Sequence, residues 1–136
     1  MAKCIVIADD LTGANATGVL LQKMNYSAYT VLNTERLELS MLESCDCLLY
    51  PTDSRGIDKD LAYRRVSNVC NLLKNEETKV YSKRIDSTLR GNLGAEVDAM
   101  LESLGEEYVA IVVACFPTSS RIVLGGYMLV EGLPLH

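Results

Sequence analysis

The densest chemistry in this 136-residue chain lies in KRIDSTLRGN, residues 83–92. Lys83, Arg84, Asp86, Ser87, Thr88 and Arg90 crowd into one short stretch, and Gly91 follows. A guanidinium fork matches a carboxylate or a phosphate with two parallel hydrogen bonds. Asp and Ser side chains suit sugar hydroxyls. Three other stretches repeat the mixture: ADDLTGA with Asp9 and Asp10 ahead of Thr12-Gly13, PTDSRG with Asp53, Ser54 and Arg55, and FPTSSR ending in Arg121. Taken singly, each has an ordinary explanation. Asp9, Asp10 or Thr12 could cap a helix, Asp53 to Gly56 could be a turn with an internal ion pair, Asp86-Ser87-Thr88 a second cap, and Pro117 to Ser120 a loop. A cap needs only one hydroxyl or carboxylate, so the repetition of acid, hydroxyl and arginine is left over. It points to a pocket for a small polyhydroxylated anion, with helix starts at Gly13-Ala14 and Gly91-Asn92 as further donors.

The elements that must position these residues alternate along the chain. Short apolar runs at 3–8, 27–32, 45–50, 79–83 and 108–115 read as strands. Apolar residues at three- and four-residue steps read as helices over 12–25, 35–44, 58–75 and 92–105. In the first helix Ala14, Val19, Leu20 and Met24 are expected to face inward, and in the second Leu37, Met41 and Leu42. The third carries Leu61, Val66, Val69, Leu72 and Leu73, and the fourth Val97, Met100, Leu101 and Leu104. The pattern predicts an α/β three-layer sandwich over residues 1–136 as one domain: a mostly parallel, Rossmann-like sheet of five strands with helices on both faces. In such sheets ligands sit at the carboxyl ends of the strands. The four polar stretches fall at the ends of the first, third, fourth and fifth predicted strands.

Bulk properties close off several other classes. The net charge of −5, with no basic stripe, argues against nucleic acid as partner. The longest apolar run, Tyr108 to Phe116, is far too short to span a bilayer, and the amino terminus lacks the pattern of a signal peptide. Five cysteines (Cys4, Cys45, Cys47, Cys70, Cys115) without a secretion signal read as reduced thiols of a cytoplasmic protein. Cys45-x-Cys47 has no second pair and the only histidine is His136, so no metal site and no histidine-based triad is expected. No Walker loop and no G-x-G-x-x-G occurs, and a nucleotide cradle is therefore not legible.

ADDLTGANATG, TDSRG, KRIDSTLRGNLGAEVDAML and ACFPTSSR resemble, in this order and spacing, the amino-terminal domain of the four-carbon acid sugar kinases that act on threonate, erythronate and 3-oxo-tetronate. The resemblance runs from about Ile5 to the end. It implies ATP-dependent phosphorylation of a small sugar acid, with the acid bound by this domain and ATP with Mg2+ by a separate carboxyl-terminal domain. On that basis the chain is expected to be truncated and inactive alone. Carried over, Asp10 or Asp86 accepts the attacking hydroxyl's proton, and Arg55, Lys83 and Arg90 neutralise the substrate carboxylate or the developing phosphate charge. Asp9, Ser54 and Ser87 complete the substrate site. The family's FPxxGR loop has Gly before its Arg, whereas Ser120 stands here; strain at a positive φ is expected there, and Arg121 is left outside the primary site. The apolar end, YMLVEGLPL, is expected to pack, with a second copy as candidate partner in a homo-oligomer. Two rivals stand beside this reading. A non-catalytic sugar-acid binding module would share the fold. A phospho-accepting receiver domain would explain Asp9, Asp10 and Asp53, but it needs a Lys after the fifth strand and leaves DSTLRGN unused.

Overall fold

The computed structural model of the chain describes residues 1–32, 37 and 39–135. Four short runs, each rich in residues that fit a pleated, buried surface, pair as one parallel sheet. They are β1 (Cys4–Ala8), β2 (Ala28–Thr30), β3 (Cys47–Pro51) and β4 (Val80–Arg84), in the order β2-β3-β1-β4. Cys4 lies opposite Cys47 on one side and Val80 on the other, so β3, β1 and β4 end level. The helices are α1 (Leu11–Lys23), α2 (Lys59–Leu73) and α3 (Leu93–Leu104).

Strand side chains alternate between faces, and both faces are covered. Ile5, Ile7, Leu48 and Tyr50 pack with Val66, Val69, Cys70 and Leu73 of α2 and with Ala99, Met100 and Leu104 of α3. Val6, Ala8 and Leu49 pack on the opposite face with Ala14 of α1. Each of the fully buried Leu and Ile side chains contributes about 1.5–3 kcal/mol. The three-layer α/β sandwich with helices on both faces is therefore the observed architecture.

Several details differ from the sequence-based expectation. In α1 the buried residues are Gly13, Ala14 and Gly18, whereas Val19, Leu20 and Met24 are exposed. The reason is close approach: a Cβ on Gly18 would lie 3.7 Å from both methyls of Leu49, so the helix packs through its small residues rather than its large ones. In α2 it is Ala62 and Cys70 that join Val66, Val69 and Leu73 inside, and Leu72 is exposed. In α3 the fully buried set is Glu96, Ala99, Met100 and Leu104. The helix expected over 35–44 falls partly on residues 35, 36 and 38, outside the described set; what is described there is a 3-10 turn, Leu39–Glu43, with Leu42 buried.

The predicted fifth parallel strand is not formed, and the parallel sheet has four strands. Residues 109–115 form no strand, and Val109, Ile111, Val112 and Val113 are 67–87% exposed. High β-propensity makes a strand only where a neighbour supplies the ladder, and here a space of about 650 Å3 separates the segment from β4 and α3. The chain then forms an antiparallel meander: β5 (Arg121–Leu124), β6 (Tyr127–Val130) and β7 (Leu133–Pro134). Gly125 and Gly126, both at positive φ (59° and 86°), make the two-residue turn that pairs Leu124 with Tyr127. Among the described residues no helix is long and apolar enough to cross a membrane.

The position before Arg121 does sit in the left-handed region, with Ser120 at φ 54° and ψ 33°. A side chain there costs roughly 1–2 kcal/mol, partly offset by the freedom a glycine has in the unfolded chain. Ser120→Gly is expected to stabilise the protein by about 0.5–1 kcal/mol, read as a rise of about 2–5 °C in Tm by calorimetry.

Candidate functional site

The carboxyl ends of β3, β1 and β4 lie side by side, and the residues that follow them fold over one another. Asp9 is the hinge of this arrangement. Its carbonyl accepts from the amides of Ser54 and Arg55, and its own amide donates to the Arg84 carbonyl, so all three strand ends are stitched at one residue. Asp10 terminates the strand-like backbone and caps α1, its carboxylate accepting from the Gly13 amide at 2.7 Å. A Cβ at Gly13 would lie 2.7 Å from the same oxygen, so a larger residue there would have to push the capping carboxylate aside. Thr12, the other cap candidate, is inside the helix.

Arg55 gathers the acids. Its Nε and Nη2 form a fork on Asp9 at 2.7 and 3.0 Å, Nη1 reaches Asp10 at 2.8 Å, and Nη2 lies 3.7 Å from Asp86. The ordinary alternative for Asp53–Gly56, a turn with an internal ion pair, gives way to pairs across the strand ends. Gly91, at φ 99°, lets the following loop lie on Arg55: an added Cβ would meet Arg55 Cγ at 3.2 Å and Cα at 3.4 Å. Asn92 fastens the same loops from the other side, its Nδ2 donating to the carbonyls of Ser54 and Ile57 at 2.9 Å.

Asp86 does not cap the helix after it. Its carboxylate accepts from the Thr88 amide and hydroxyl and from the Arg90 fork, at 2.8 Å from Nε and 2.7 Å from Nη2. The Arg90 guanidinium, helped by Thr88, holds the Asp86 carboxyl far below the ordinary carboxylate range against the opposing effect of burial. A depressed carboxyl stabilises the fold fully above its unfolded pKa, near 4, and that stability fades as the pH falls from there towards the native value. Arg90→Ala is therefore expected to be less stable than the parent at pH 7, with the gap closing below pH ~4. Urea unfolding of both proteins at pH 7 and pH 3 checks this; an equal gap at both values would contradict it.

The structure brings Asp9, Asp10, Arg55, Asp86, Ser87 and Arg90 to one rim. Ser54 lies beneath it, fully buried, its hydroxyl 2.7 Å from that of Thr52, which in turn donates to the Ala8 carbonyl. Lys83 is turned to the α2/α3 face, where its ammonium lies 2.6 Å from Glu96; the two side chains are 7% and 0% exposed. Arg84, next along β4, points to the α1 face instead and stacks near Gly13. Thr52 is a positioning residue that the sequence motifs do not single out, and Thr88 and Asn92, from the same dense stretch as Asp86, act as positioning residues too.

A cavity of about 260 Å3 opens beside the rim, between Thr17 and Leu20 of α1, Arg84 to Ser87, and Val113 to Phe116. That is just under the roughly 300 Å3 at which pockets for drug-sized molecules begin, and it suits a smaller polar metabolite. Among the described residues no group of three or more His, Cys, Asp or Glu side chains is placed to hold a metal ion. The rim acids are instead held by guanidinium groups, so the donor set is not that of a Mg2+ site.

Comparison with known proteins bears on the same residues. A family profile described as a sugar-binding N-terminal domain matches residues 4–136. A D-erythronate kinase of Heliobacterium modesticaldum is 49% identical over the whole chain, and a D-threonate kinase of Salmonella typhimurium is 36% identical over 98% of it. A 3-oxo-tetronate kinase of Actinobacillus succinogenes is 33% identical over 92%. The chain spans 31%, 31% and 30% of these relatives' lengths. A solved domain of unknown function from Bordetella bronchiseptica, a domain-swapped dimer with bound citrate, superposes with a TM-score of 0.90 at 28% identity, covering 97% of this chain and 33% of that one.

Proposed function

The chain belongs to the sugar-binding N-terminal domain family, and from that premise we propose that it forms, as one domain, the sugar-acid site of an ATP-dependent kinase for a four-carbon acid. The observation that carries this reading is the guanidinium-bridged acid cluster at the level ends of β3, β1 and β4, beside a cavity of small-metabolite size. The matched relatives are named as erythronate, threonate and 3-oxo-tetronate kinases, which supports the substrate class.

In this reading the substrate's hydroxyls face Asp10 and Asp86. Asp86 is a weak base, because Arg90 keeps its carboxyl ionised; its work is to accept hydrogen bonds and fix a hydroxyl's position. Asp10, about a quarter exposed and held by one Arg55 nitrogen and one amide, is the better placed to take the proton of the attacking hydroxyl. Arg55 holds Asp9 and Asp10 apart and oriented, which is the positioning on which phosphoryl transfer depends. ATP supplies the phosphoryl group, with Mg2+ balancing its charge. The residues of this chain do not fit either one: no glycine-rich phosphate cradle occurs and the rim acids are already paired. Both are assigned to a part of the protein outside these residues, so the chain alone binds the acid without turning it over. A cytoplasmic location and assembly into a homo-oligomer complete the reading; the exposed apolar stretch at Val109–Val113 and the swapped dimer of the Bordetella relative support the latter.

Calorimetric titration with D-erythronate, D-threonate and 3-oxo-tetronate tests it. Saturable binding of one acid without nucleotide, lost in Asp10→Asn, is the expected result. Heat-silent mixing with all three, by protein whose melting curve shows it folded, would sink the proposal.

A further inference from the structure

Resting on the sugar-acid reading above, we infer that Arg121 and Ser87, rather than Arg55, Lys83 or Arg90, receive the substrate's carboxylate. The inference begins with what the other cations already hold. Arg55 is spent on Asp9 and Asp10, Arg90 forks onto Asp86, and Lys83 is buried against Glu96. A substrate anion at Arg55 or Lys83 would compete with a carboxylate already in place, and the edge of Arg90 that Asp86 leaves over belongs to a side chain 67% exposed to solvent.

Arg121 is differently placed. Among the described residues its side chain makes one hydrogen bond, from Nη1 to Ser87 Oγ at 2.6 Å. Its Nε is buried with no partner among the described residues. A buried N–H left without an acceptor loses the hydrogen bond it made to water, so an acceptor belongs at this point. Ser87 points the same way. Its oxygen accepts from Arg121, which leaves the hydroxyl hydrogen free to donate to an anion. Ser87 lines the cavity of about 260 Å3, and so does Arg84, whose guanidinium adds charge to the same wall. Asp9, Asp10 and Asp86 outnumber Arg55 and Arg90; Arg84 and Arg121 turn the balance to one positive charge in excess, which suits one carboxylate.

The backbone holds Arg121 in this position. The 3-10 turn at Pro117–Ser119 ends in left-handed Ser120, and Phe116 and Arg121 exchange backbone hydrogen bonds at 2.7 and 3.2 Å. The loop after the unpaired apolar segment thus returns the guanidinium to the end of β4. The acid then lies across the cavity mouth, its carboxylate at Arg121 and Ser87 and its hydroxyls towards Asp86 and Asp10.

The test compares each tetronate with its neutral primary amide, by calorimetry, in the parent chain, Arg121→Gln and Arg121→Lys, each first shown folded by its melting curve. The parent is expected to prefer the acid over the amide by at least tenfold. Arg121→Gln is expected to lose that preference through weaker binding of the acid, and Arg121→Lys to recover part of it. An unchanged preference in Arg121→Gln, or an equal loss for acid and amide, would overturn the inference. A parent chain that binds no tetronate would overturn the sugar-acid reading itself, a result distinct from either.

Discussion

Replacing Lys83 by Met while keeping Glu96 is expected to cost about 3–5 kcal/mol of stability at pH 7, the usual price of leaving one member of a buried ion pair alone. Glu96 is fully buried in the first turn of α3, and Lys83, 2.6 Å away, is the cation that balances it. For a domain stable by about 5–15 kcal/mol this is a large fraction of the whole. The double variant Lys83→Met with Glu96→Leu should recover most of the loss, since a packed apolar pair often matches a buried ionic one. Urea unfolding of the parent, the single and the double variant measures all of this. The same series decides what Lys83 does: a single variant as stable as the parent but unable to bind a tetronate would return Lys83 to the substrate.

The second large effect is at Arg55. Arg55→Ala is expected to destabilise the chain by about 3–5 kcal/mol and to abolish tetronate binding together. Asp9 is 2% exposed in its side chain, and its carboxylate would be left without the fork that neutralises it. Asp10 and Asp86 would lose a shared neighbour and repel one another. Arg55→Lys should rescue little, because a single ammonium cannot hold Asp9 with two bonds and Asp10 with a third. Chemical denaturation and calorimetry on the two variants check this; Arg55→Ala within about 1 kcal/mol of the parent would show the cluster to be solvated and loosely held.

Much of this arrangement was legible in the sequence because it repeats a rule of parallel sheets. Apolar runs fixed β1, β3 and β4, and the polar stretches just after them had to converge at one edge. The acids and arginines could be named from that alone. Their pairing could not, because the choice between Arg55 serving Asp53 and serving Asp9 depends on the level ends of β1 and β3, a tertiary fact. The inward face of α1 was misjudged for a related reason. Helical spacing finds large apolar residues, whereas this helix sits close to the sheet on Gly13, Ala14 and Gly18. The stretch at 108–115 shows the limit of propensity: its composition is that of a buried strand, yet it makes no ladder here. The β5–β6 hairpin could have been read. Gly125-Gly126 between apolar runs is a two-residue turn signal.

The central claim is that a four-carbon acid binds at the carboxyl ends of β3, β1 and β4. The most direct measurement is a titration of isotope-labelled protein with D-erythronate, following backbone amide signals by NMR. Saturable shifts confined to Asp9–Gly13, Asp53–Gly56, Ile85–Gly91 and the Phe116–Arg121 loop are expected. Shifts centred on the exposed faces of α2 and α3, with those four segments unmoved, would contradict it.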